Sequence, residues 1–227
     1  MKMSKEKFHT KMVRRYRALE GSDFEMVSVR NDEEKTTYKI KGTPIVYNRE
    51  VVLYENQHFR LSEIIETGAA REALVRAEQV LLWNHESSKP MAARKNNTLS
   101  VREDVNGVYI EADVSGTVWG RDGFEAINSG LVDKMSFGFY VNEDGYTEER
   151  FVESGKRCCK RSIKKLERVV DFSPVTYPAY QDTDVQARDV ENIQTDFDTD
   201  EAEKDKQREK LRAQIDELKK LVEKHDK

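Results

Sequence analysis

The sequence predicts an α+β domain built mostly of strands, carried between two polar extensions, the second of them helical. Three observations support this. Nearly all of the Trp, Phe and Tyr lies between residues 23 and 182, in short apolar runs separated by turn residues. Several of those runs alternate apolar with polar residues, as strands with one wet face do. Beyond residue 182 the chain turns polar, keeps Phe197 as its one aromatic residue, and then acquires an apolar stripe at helical spacing amid charge.

The chain has 227 residues, 36% of them charged. The reading is a basic N-terminal arm over 1–22, a core domain over 23–182, a flexible linker over 183–200 and a charged amphipathic helix over 201–227. Net charge is −4, unevenly spread: Lys11, Arg14, Arg15 and Arg17 lead, and residues 196–205 are mostly acidic. A solvated arm is the reading preferred over contact with nucleic acid. Cys158 and Cys159 are adjacent, a spacing that does not readily close a low-strain disulfide, which implies a reduced, intracellular protein. The four histidines are scattered without paired ligands, so no structural metal is expected. Residues 1–20 lack the apolar core of a secretory signal, and no membrane-spanning run is evident.

Residues 24–30 and 36–47 read as strands around the charged turn 31–35. Residues 61–67 and 69–77 have helical composition on either side of Gly68, after which Val-Leu-Leu-Trp-Asn-His at 80–85 returns to a buried-strand pattern, leaving His85 at a strand end. Residues 98–103 and 108–114 alternate around the turn 104–107, as an antiparallel pair does. A short helix over 121–128, stopped at Gly130, precedes the apolar strand 134–141, which holds Ser136. Further strands are expected at 147–152, 161–164 and 166–170, with Pro174 and Pro178 punctuating 171–180. In the tail, Leu211, Ile215, Leu218 and Val222 recur at spacings of four, three and four, a stripe suited to a partner helix.

Three segments carry candidate chemistry: Trp83-Asn84-His85-Glu86, Lys134-Met135-Ser136-Phe137-Gly138-Phe139, and 171–179, from Asp171 through Val175-Thr176-Tyr177-Pro178. Taken singly, His85 reads as a hydrogen-bonded structural histidine and Ser136 as a strand serine. The pattern in the second segment changes that. Alternation sets Met135, Phe137 and Phe139 on one face and Ser136 with Gly138 on the other, a bare face where a substrate backbone can come close. A serine hydroxyl is a weak nucleophile without a base and a group that orients the base, and His85 is the best-placed base. No Gly-x-Ser-x-Gly elbow surrounds Ser136, which disfavours an α/β-hydrolase.

The histidine of Trp-Asn-His-Glu, the serine of Met-Ser-Phe-Gly-Phe and the segment Val-Thr-Tyr-Pro-Ala-Tyr, in this order, resemble the prohead serine proteases of tailed bacteriophages. Lys41-Gly42-Thr43-Pro44-Ile45-Val46-Tyr47 adds to the likeness, which spans residues 36–187. The resemblance implies a fold shared with herpesvirus capsid proteases, a mostly antiparallel β-barrel wrapped by a few helices. It implies Ser136 as nucleophile and His85 as general base, with no cofactor. Asp171 and Glu86 are the acids nearest to its motifs, and Asp171 is favoured as the third member, because successive strand residues point to opposite faces and Glu86 would aim away from the ring beside it. It further implies cleavage of scaffold, of the N-terminal region of the major capsid protein and of the protease itself, inside assembling proheads in the host cytoplasm. The tail then serves as a scaffold-binding or self-associating helix, removable by self-cleavage within 182–200. The alternative is a non-enzymatic capsid scaffolding protein with a protease-like domain, for which the Ser136 and His85 pair is superfluous.

Overall fold

The computed structural model describes residues 13–19, 25–30, 36–177 and 184–225. Two compact units divide the chain after Asp182. In chain order, the first unit contains β1 Val13–Leu19, β2 Glu25–Arg30, β3 Thr36–Val46, β4 Val51–Glu55, β5 Phe59–Ile65, α1 Arg71–Arg76, β6 Val80–Trp83 and β7 Glu86–Ala93. It continues with β8 Leu99–Glu103, β9 Gly107–Asp113, α2 Val118–Asn128, β10 Lys134–Val141, β11 Tyr146–Glu153, β12 Lys156–Ile163 and β13 Arg168–Val175.

The strands form three sheets, ordered β1-β10-β13-β6-β7, β11-β12-β5-β4 and β2-β3-β9-β8. Among the described residues each keeps two edges, so the closed barrel implied by the resemblance is not formed by them. The fold is mixed α+β, mostly sheet, and two of its pairings, β12 with β5 and β13 with β6, are parallel. Parallel neighbours need crossover connections rather than tight hairpins, and here those crossovers carry the chain from one sheet to another. One core cluster draws on all three sheets and both short helices: Ile40, Ile45, Ile65, Ala73, Leu81, Ile110, Phe124, Phe137, Phe139, Val169 and Phe172 among others. In β10 the alternation works as the sequence implies, with Met135, Phe137 and Phe139 turned into this core and the two phenyl rings stacked 5.0 Å apart. α2 starts at Val118 rather than 121 because the Thr117 hydroxyl caps it, accepting the Gly120 N–H at 2.9 Å.

Residues 61–67, expected helical, lie largely in β5, where β4 and β12 supply ladder partners on both edges and Phe59, Leu61, Ser62, Glu63 and Ile65 are buried. That tertiary pairing outweighs a helix-compatible composition. β13 does not end at 170. It runs through Pro174 to Val175, where the Pro174 carbonyl accepts the Asn84 N–H at 3.1 Å. Part of the basic arm is not a solvated tail: Val13–Leu19 pairs antiparallel with residues 135–141 of β10, which would otherwise present bare backbone donors and acceptors at a sheet edge. The remainder of the arm lies outside the described residues.

The second sheet also holds a charge ladder. Arg161 of β12 sits opposite Glu63 of β5 and Glu148 of β11. Its guanidinium lies 3.8 Å from Glu63 and 2.7 Å from Glu148, and both Arg161 and Glu63 are 1% exposed.

The described residues of the second unit form one helix, α3 Asp184–His225, 42 residues long. Residues 184–200 were expected in a flexible linker, but they belong to this helix. No Gly or Pro follows Pro178, so nothing in the composition interrupts helical hydrogen bonding once it starts. Leu211 and Ile215 of the apolar stripe are exposed. No helix among the described residues is long and apolar enough to cross a membrane.

Candidate active site

Two adjacent strands and one hairpin build the site. β10 and β13 run antiparallel with Ser136 opposite Ser173 and Gly138 opposite Asp171. Directly opposed residues share a face and alternate residues return to it, so all four lie on the side of the sheet away from the Phe137 and Phe172 core face. Asp171 is therefore placed by the same period of two that places Ser136.

His85 arrives from a neighbouring hairpin rather than from a strand. Trp83 pairs with Glu86, which leaves Asn84 and His85 as a two-residue connection between β6 and β7. Their φ angles are 49° and 60°, the positive pair that a type I′ turn requires. Asn tolerates this left-handed backbone, and His adopts it only where surrounding contacts hold it. Three hydrogen bonds do so here. The Asn84 N–H donates to the Pro174 carbonyl at 3.1 Å, the His85 N–H to Ser173 Oγ at 3.1 Å, and the Thr176 N–H to Asn84 Oδ1 at 3.1 Å. The sequence segments around His85 and after Asp171 thus clasp each other, and the imidazole is set over the face that carries Ser136.

The ring bridges that face. His85 Nε2 lies 2.7 Å from Ser136 Oγ, and His85 Nδ1 is hydrogen-bonded to Asp171 Oδ1. Ser173 Oγ donates to the same Asp171 Oδ1 at 3.1 Å. A carboxylate only accepts, so the ring proton sits on Nδ1 and leaves Nε2 free to accept the Ser136 hydroxyl proton. The side chains of His85 and Asp171 are 12% and 3% exposed. Water competes poorly for these bonds, and each is electrostatically stronger than it would be at the surface.

Of the residues singled out from sequence, Ser136, His85 and Asp171 come together. Glu86 does not join them: its carboxylate is ion-paired with Lys89 at 2.8 Å on the surface. The bare face expected around Ser136 is not bare, because Ser136 has 0% exposure. Sequence reasoning missed Ser173 and the clasp made by Asn84. The signal for the first was Asp-x-Ser within one strand, which sets both on one face; for the second it was an Asn before the His at a hairpin tip.

A serine hydroxyl facing one nitrogen of an imidazole whose other nitrogen rests on a buried carboxylate is the constellation of a serine hydrolase, here mounted on a sheet rather than on a nucleophile elbow. The chain belongs to the Caudovirus prohead serine proteases, whose family model matches residues 25–196 and so takes in Ser136, His85 and Asp171. It is a capsid maturation protease by that membership. Among solved structures, the bacteriophage T4 capsid assembly protease gp21 aligns with 13% sequence identity, covering 68% of this chain and 97% of its own, at a TM-score of 0.35. No curated protein matches the chain significantly.

Proposed function

We propose that this chain is a serine endopeptidase in which Ser136 is the nucleophile, His85 the general base and Asp171 the group that orients His85. The observation that carries this reading is the single imidazole bonded to Ser136 Oγ through Nε2 and to Asp171 through Nδ1. As Ser136 Oγ bonds to the scissile carbonyl carbon, its proton passes to His85 Nε2, and Asp171 stabilises the imidazolium that forms. Collapse of the tetrahedral intermediate breaks the C–N bond, and Nε2 returns the proton to the departing amine. Water then attacks the acyl-enzyme with His85 again as base, restoring Ser136. Base catalysis of this kind contributes on the order of 10² to 10⁴ in rate.

The substrates in this reading are scaffold, the N-terminal region of the major capsid protein and the protease itself, met inside proheads in the host cytoplasm. The α3 tail acts as a scaffold-binding or self-associating element that raises local substrate concentration. Self-cleavage within 184–200 would require that part of α3 to unwind, since a nucleophile on a sheet face takes an extended chain.

Co-expression with the cognate major capsid protein tests this, comparing wild type, Ser136→Ala and His85→Ala by denaturing gel and intact mass. Wild type should shorten itself or the capsid protein while both variants leave full-length chains. Equal products from all three, with shells still assembling, would transfer the assignment to a non-enzymatic scaffolding role.

A further inference from the structure

Ser173 is a fully buried hydroxyl that takes no part in the proton path just described, yet it touches both residues on the far side of that path. We propose that Ser173 is a positioning residue for the His85 and Asp171 pair, an inference that rests on the serine-protease reading above.

The chemistry of its partners fixes what it does. The His85 backbone N–H can only donate, and it donates to Ser173 Oγ at 3.1 Å. The Asp171 carboxylate can only accept, and it accepts from Ser173 Oγ at 3.1 Å. A hydroxyl both donates and accepts, so one atom satisfies both neighbours, and its own proton has one orientation. That oxygen ties the backbone of the base to the carboxylate of the acid, and the His85 ring bond to Asp171 closes the loop. Two soft features are held by this loop. The carboxylate rotates easily about its terminal torsion unless bonded on more than one side. The left-handed His85 backbone, at φ 60°, persists only while its pins persist, and the Ser173 bond is one of three on the turn.

Placement agrees with this role. Ser173 is the register partner of Ser136 on the neighbouring strand, so the turn is anchored at the same level of the sheet as the hydroxyl that His85 must reach. It has 0% exposure, so water cannot stand in for the hydroxyl without rearrangement. Alanine at this position neither donates nor accepts. Threonine keeps the oxygen and suits a strand.

The test uses the full-length chain. Labelling of Ser136 by a small fluorophosphonate and cleavage of co-purified capsid protein are compared for wild type, Ser173→Ala, Ser173→Thr and Ser136→Ala. A one-dimensional proton spectrum is recorded for the downfield His85 Nδ1–H resonance, with thermal melting alongside. Ser173→Ala should slow labelling and kcat by roughly 10- to 100-fold, the range that a displacement of about 1 Å costs, with KM little changed. Its melting temperature should fall by only several degrees, as the loss of one buried hydroxyl's hydrogen bonds implies, while the Nδ1–H resonance shifts or broadens, and Ser173→Thr should recover most of the rate. Wild-type labelling and an unchanged resonance in Ser173→Ala overturn the positioning role. So does a rate loss matched by a collapse in melting temperature with the resonance intact, which is a packing effect. If wild type neither takes the probe nor cleaves capsid protein, as expected of Ser136→Ala, the serine-protease reading fails, and this inference fails with it.

Discussion

Replacing Asp171 by asparagine changes one atom type at the most buried ionisable position of the site. Asp171 Oδ1 receives two donors, His85 Nδ1–H and Ser173 Oγ–H. If the asparagine presents its oxygen there, both contacts survive, but no negative charge faces the imidazolium as it forms. If it presents its NH₂, the ring proton is driven to Nε2, the nitrogen that must accept from Ser136 Oγ at 2.7 Å. Both arrangements raise the barrier. In serine proteases of this constellation the wrong-tautomer case costs on the order of 10⁴ in kcat, so a loss of 10² to 10⁴ is expected, about 3 to 5.5 kcal/mol of activation free energy. The assay is the single-turnover rate of capsid-protein cleavage by Asp171→Asn, with Glu86→Gln as comparison and melting curves for both. Glu86 is exposed and paired with Lys89, so its variant should cleave at the wild-type rate. Asp171→Asn cleaving within threefold of wild type, with Glu86→Gln inactive, would refute the assignment and move the acid to Glu86.

Two further expectations concern stability. Arg161→Met removes the guanidinium facing Glu63 inside the second sheet, where both are 1% exposed, and should cost about 3–5 kcal/mol by leaving that carboxylate without its cross-strand cation. A melting temperature lowered by roughly 10 °C, largely restored in Arg161→Met with Glu63→Leu, checks this; an unchanged melt refutes it. Tyr47→Phe removes a hydroxyl that donates to Glu103 at 2.6 Å and accepts the buried Ala70 N–H at 3.3 Å, and should cost about 1–3 kcal/mol in urea unfolding. Burial first, and the Glu103 hydrogen bond second, hold the Tyr47 hydroxyl above the usual tyrosine range. The native state then keeps a proton that the unfolded state loses from about pH 10, so Tyr47 makes stability fall as pH rises past that value. The urea midpoint of Tyr47→Phe should fall less steeply than wild type between about pH 9 and 11, and parallel slopes would contradict this origin.

How much of the site was legible depends on distance along the chain. Alternation over 134–141 was enough to separate Ser136 and Gly138 from Met135, Phe137 and Phe139, because the period of a strand is a local property. Asp171 was preferred to Glu86 by supposing that His85 and Glu86 continue one strand. His85 instead lies in the left-handed turn before β7. The preferred acid is the one beside the ring, but what places it there is the register of β13 on β10. Ser136 is buried although alternation places it on a bare face, because burial is contributed by other parts of the chain, which no local pattern records.

The sequence by itself determined the strand-rich composition of residues 23–182, the faces of β10, the α2 stop at Gly130 and the helical stripe of the tail. These follow from side-chain periodicity and from backbone preferences acting over a few residues. Only the tertiary structure decided that residues 59–65 are a strand, that the sheets stay open, and that part of the basic arm lies along β10. Only it set a histidine 51 residues from Ser136 and 86 from Asp171 between the two. Hydrogen-bonding capacity is nearly identical at every backbone position, so which strands share a ladder is settled by burial summed over the whole core, and the register of that ladder places the site.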